Sequence, residues 1–93
     1  MNTISAFGVR VNPHVWGIGV ALAASLRLIA ALPRNPPGLH ALEPLLEFDR
    51  PEHPIRMAVR QQPIEQHGGR VETPQGPGLG TEIDRTALVR FAV

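Results

Sequence analysis

No cysteine, no lysine and no tyrosine occur in this sequence. Without cysteine there is neither a disulfide scaffold nor a cysteine-rich zinc site, and the chain suits a reducing cytoplasm. Without lysine, all nine basic side chains are arginines. They are scattered, and eight acidic groups leave a formal net charge of only +1. Nucleic-acid binding needs clustered positive charge, so that class of partner is excluded. Aromatics are sparse: Phe7, Trp16, Phe48 and Phe91. A core built from this chain rests on Ala, Leu, Val and Ile. With 93 residues it forms at most one small domain, burying roughly 60 to 65% of its unfolded surface.

What is present is unevenly placed. Residues 15–32 carry a single charge, Arg27, whereas nine of the ten prolines lie in residues 33–93. The apolar run needs a partner, and the remainder is rich in loops. The opening segment reads as a helix stub that stops at Gly8. In "VRVN", Val9 and Val11 alternate with Arg10 and Asn12, the period of a short strand. Pro13 ends it, and His14 sits at its C-terminal tip. "VWGIGVALAASLRLIAAL" reads as a helix with Leu22, Leu26 and Ile29 on one stripe; Gly17 and Gly19 loosen its start and Pro33 stops it. The stretch from Pro33 to Pro44 is irregular.

"LLEFD" is a second strand candidate, and one helical turn is expected around Ile55 to Val59. "IEQHGGRVET" reads as a hairpin whose Gly68-Gly69 pair supplies the positive φ angles of a two-residue turn. "TEIDRTALVRFAV" gives an extended piece and then a helical turn with Asp84 as N-cap. Strand, helix, strand in this order is one βαβ unit with parallel strands and a right-handed crossover. Both strands need neighbours that these residues do not supply.

Two side chains stand at chemically favoured places. His14 and Glu47 each end a predicted parallel strand, where α/β barrels carry their active sites. A histidine can act as a base near neutral pH, and a carboxyl group can hydrogen-bond a substrate carboxylate. The residues alone leave open whether His14 is a base or a turn residue, and whether Glu47 is simply solvated. His14, His40, His53 and His67 lack metal-ligand spacing. Glu43, Glu47, Asp49 and Glu52 could chelate a hard cation, but a solvated loop is the favoured reading. "GPGLG" lacks the Lys-Ser/Thr of a phosphate loop and reads as a turn. Residues 15–32 reach the lower limit for a membrane span, or could be part of a signal peptide. Arg27 in its second half, two glycines and many alanines favour a buried helix instead.

The order of "GVRVNPHVWGIGVALAASLRLIAALP", "PLLEFD" and "GRVETPQGPGLGTEID" resembles the C-terminal portion of the mandelate racemase and muconate lactonizing enzyme group of the enolase superfamily. The resemblance covers nearly the whole chain. It implies an α/β chain: the last two strands of a (β/α) barrel and their intervening helix in residues 1–62, with a β-rich tail, residues 63–93, joining the capping domain. By that resemblance His14 is the histidine base at the seventh strand, and Glu47 is the glutamate that bonds the substrate carboxylate at the eighth. The family removes a proton α to a carboxylate and steadies the enediolate with Mg2+.

The implied substrates are acid sugars or 2-hydroxy acids. Dehydration is the expected outcome, with racemization or epimerization as the alternative. The family's metal ligands, its lysine base and the aspartate that orients the histidine have no counterparts here; the sequence offers no metal ligands of its own. A full barrel takes roughly 250 residues. The expectation is therefore a C-terminal fragment, inactive alone, that pairs with the missing barrel piece or with itself. A noncatalytic interaction module and a short membrane-associated protein are the readings from other classes.

Overall fold

The computed structural model describes residues 6–32 and 43–93. Its elements, in chain order, are helix α1 (Gly19–Ala30), the short helix α2 (Pro54–Ala58), strands β1 (Gln66–His67) and β2 (Arg70–Val71), and helix α3 (Arg85–Phe91). This is a small α/β arrangement with one two-stranded antiparallel sheet.

Helix α1 organises the core. Leu22 and Leu26, one turn apart, are buried with Val15; Leu46, Phe48, Ile64 and Val71 close over them. Burying each leucine contributes about 1.5–3 kcal/mol. Ala23 is fully buried, and its small side chain lets neighbouring backbone approach closely. Ile29, the third residue of the predicted stripe, is only half-buried. The helix begins at Gly19, later than its apolar run, because Gly17 bends the chain and Ile18 offers no side-chain cap. Twelve residues span about 18 Å, against a hydrocarbon core of about 30 Å. Among the described residues no helix is long and apolar enough to cross a membrane.

The other local signals have simple physical causes. His53 caps α2 by accepting at Nδ1 from the Arg56 amide at 3.2 Å, and Pro54 opens that helix, where its missing N–H costs nothing. Gly68 and Gly69, with φ of 57° and 77°, make the tight turn that pairs Gln66 with Val71 and His67 with Arg70. Asp84 caps α3 by accepting from the Ala87 amide at 3.0 Å. Residues 59–61 run antiparallel to 82–84. Arg60 bridges Ile83, the Gln61 amide donates to the Glu82 carbonyl at 3.2 Å, and the Asp84 amide donates to the Val59 carbonyl at 2.8 Å. Helices α2 and α3 pack together.

Two expectations are corrected. Neither "VRVN" nor "LLEFD" is a strand; their neighbourhood is reduced to one parallel bridge, His14 to Glu47. The two segments pair at that single bridge, and Pro13 offers no amide to extend it into a ladder. The tail is also less β-rich than expected, since it holds one minimal hairpin and ends in a helix. Gly8 does adopt a left-handed φ of 71°, as a helix stop requires. Ala6, the one described helical residue of the stub before it, fits that reading; residues 1–5, the Pro33 stop, His40 and most of the irregular stretch after Pro33 lie outside the described residues.

Candidate active site

The site grows out of an alternation. Val11 and Pro13 are partly buried and Val15 is buried, while Asn12, His14 and Trp16 are exposed. In the second segment Leu46 and Phe48 turn toward the core, while Leu45 and Glu47 are exposed. Extended backbone sends successive side chains to opposite faces. One face of the parallel pair thus rests on α1, and the other is open. The open face is apolar in part, with Trp16 81% and Leu45 66% exposed.

His14 and Glu47 are neighbours across the parallel bridge and meet side chain to side chain. His14 Nδ1 is hydrogen-bonded to a Glu47 carboxylate oxygen. Their side chains are 73% and 63% exposed, so the pair stands at the surface of the open face. The backbone explains the meeting: parallel partners place side chains of the same parity side by side, here 33 residues apart in the chain.

The remaining acidic groups do not converge on this pair. Asp49 accepts from Arg56 at 2.8 Å, and Glu43 is paired with Arg70 at 3.0 Å. No group of three His, Asp or Glu side chains able to hold a metal exists among the described residues. The residues present therefore do not fit a magnesium site. The cleft beside the pair, about 550 Å³, lies on the core side of the two segments and is lined by Val15, Phe48, His53, Arg56 and Arg60, among others.

Two arginines that the sequence reading did not single out as functional hold the tail against this scaffold. Arg27 reaches from α1 to the Gly76 carbonyl at 2.7 Å. Arg60 is buried, at 5% exposure, and its Nε donates to the Thr81 hydroxyl. Burial holds its guanidinium below the usual arginine pKa. The Arg60 side chain lies over Gly19, where a β-carbon would come within 2.4 Å of its Cδ. "GPGLG" is therefore a docking loop clamped by Arg27. The one available signal was Arg27 itself, the lone charge of an eighteen-residue apolar run.

Residues 1–87 match the family described as enolase C-terminal domain-like. A D-galactarolactone cycloisomerase from Agrobacterium fabrum (strain C58 / ATCC 33970) is 50% identical over 84 residues, which is 90% of this chain and 22% of that protein. The chain thus spans about a fifth of the length of this relative. Its resemblance to the mandelate racemase and muconate lactonizing enzyme group rests on shared descent, and the chain belongs to the enolase C-terminal domain-like family of the enolase superfamily.

Proposed function

We propose that this chain contributes the His14–Glu47 corner of an enolase-superfamily active site that removes a proton α to the carboxylate of an acid-sugar substrate. The observation that carries this reading is the meeting of His14 and Glu47 on an open face. A base with a carboxylate partner, unobstructed on one side, is what α-proton abstraction needs. In this reading residues 1–62 are the barrel portion, with His14 and Glu47 at the tips of its last two strand segments. Residues 63–93 are the tail leading to the capping domain. The magnesium ion implied by the family finds no ligand set here, so its ligands, like the lysine base, are expected on other segments of the assembled enzyme. The chain alone is expected to be inactive.

The relative's name sharpens the reaction class. Loss of the α-proton leaves an electron pair that can expel an oxygen on the β-carbon: the C–H and C–O bonds break and a C=C bond forms. If that oxygen is a hydroxyl, water leaves and the reaction is a dehydration. If it is the ring oxygen of a lactone, the ring opens with no change of formula, which is an isomerization. Return of the proton to the other face is racemization or epimerization. All share the first step assigned to His14. The relative's lactone substrate favours the ring-opening or dehydrating outcomes.

Complementation tests the reading. The chain is co-expressed with the segment of the Agrobacterium relative that it does not match, and the purified complex is assayed with magnesium on galactarolactone and on a panel of acid sugars. Turnover by the complex, none by the chain alone, and loss of about 100-fold or more on His14→Asn are expected, since a positioned base contributes at least that much. An active complex indifferent to His14→Asn rules the base assignment out.

A further inference from the structure

We infer that the cleft on the core side binds a small oxyanion, a carboxylate or phosphate group, between the start of α1 and Arg60. Two independent features meet there. The first is the uncapped end of α1, a helix of twelve residues to which Ile18 supplies no side-chain cap. The Ala21 and Leu22 amides turn back to the Ile18 carbonyl, at 3.0 and 3.4 Å. Those of Gly19 and Val20 have no acceptor among the described residues. Free amides at the positive end of a helix dipole favour an anion. Gly17 and Gly19 line the cleft, so this end of the helix opens onto it.

The second feature is Arg60, which lines the same cleft and is 5% exposed. Its Nε donates to the Thr81 hydroxyl. Its Nη1 is shielded from solvent and has no hydrogen-bond partner among the described residues. A buried charged donor left unpaired is costly. Burial also disfavours the charged form of Arg60, and an adjoining anion offsets that penalty. Gly19 permits the two features to meet. A β-carbon there would lie 2.4 Å from Arg60 Cδ and 3.0 Å from its Cγ, so only a residue without one lets the arginine cross the helix start.

No side chain of the cleft already plays the anion's part. Asp49 is paired with Arg56 at 2.8 Å, Glu65 lies 3.7 Å from His67, and Glu52 is exposed. An oxyanion has several acceptor atoms, which suits a backbone amide on one side and a guanidinium fork on the other. The volume, about 550 Å³, has room for a small organic molecule that carries such a group.

The test is a titration of the 15N-labelled 93-residue chain, followed through its backbone amide and arginine Nε–H signals. One arm adds sodium phosphate, a second sodium acetate, and a third sodium chloride at equal ionic strength and pH. Saturable shifts centred on Gly19, Val20 and Arg60 are expected with an oxyanion and not with chloride. A response to phosphate alone, to acetate alone or to both identifies the group bound. No saturable shift in either oxyanion arm, shifts centred elsewhere, or the same shifts with chloride overturn the inference. Arg60→Met is expected to weaken binding by about 10-fold or more. Arg90→Gln, at an exposed arginine of α3, leaves it unchanged. Equal weakening by both substitutions marks diffuse charge attraction and overturns the site. If Arg60→Met fails to fold, the shifts of the parent chain decide alone. No turnover is involved, so the result is independent of the role proposed for His14.

Discussion

Gly80 and Gly78 share a backbone conformation and differ in their surroundings, which makes them a matched test of the Arg27 clamp. Their φ angles are 67° and 60°. Alanine in this left-handed region costs about 1–2 kcal/mol at either site. At Gly78 nothing lies within 4 Å of the added β-carbon, so the cost stops there. At Gly80 the β-carbon would sit 2.7 Å from the Pro74 carbonyl oxygen, 2.8 Å from that of Gln75 and 2.8 Å from the Arg27 guanidinium. Two of those atoms are backbone and cannot swing away, so the loop must open and release the Arg27 bond to Gly76. A hydrogen bond to a charged group contributes about 1.5–3 kcal/mol. Gly80→Ala should therefore exceed Gly78→Ala by about that amount. Urea titration followed by circular dichroism at 222 nm measures both, compared through their midpoints. Equal midpoints refute the claim that the loop is clamped on α1.

Gly19→Ala and Asp84→Ala follow the same logic. In an ordinary helix Gly→Ala is stabilising by about 1 kcal/mol, but at Gly19 the new methyl meets the Arg60 side chain, which is buried and tied to Thr81. Gly19→Ala should destabilise the parent chain and be less destabilising in an Arg60→Ala background, where only the Arg56 carbonyl, 3.2 Å from the new methyl, still crowds it; identical effects in both backgrounds rule out the Arg60 contact. Asp84→Ala removes the N-cap of α3 and should cost about 1 kcal/mol with loss of helical signal confined to α3. Unchanged amide exchange at Ala87 would show the cap to be dispensable.

Features specified by near neighbours in the chain could be read from the sequence. The Leu22–Leu26 stripe, the Gly68-Gly69 turn and the Asp84 cap depend on residues at most four positions apart, and each appears where it was expected. The strands expected at residues 9–12 and 45–49 do not form. Alternation predicts which face is buried, and the burial pattern of residues 11–16 follows it, but a ladder also requires partners that this chain does not contribute. The resemblance put His14 and Glu47 at corresponding strand tips. Their direct contact depends on the register of two segments 33 residues apart, which no local signal encodes. The same holds for Arg27 and Arg60, whose carbonyl and hydroxyl acceptors are brought in by the returning tail.

The central claim is that His14 moves the α-proton. It is tested most directly by running the complemented complex in D2O and following deuterium at the carbon next to the substrate carboxylate. Exchange or turnover at that carbon by the complex is expected, abolished by His14→Asn while the complex still assembles. Exchange at an undiminished rate in the His14→Asn complex would contradict it.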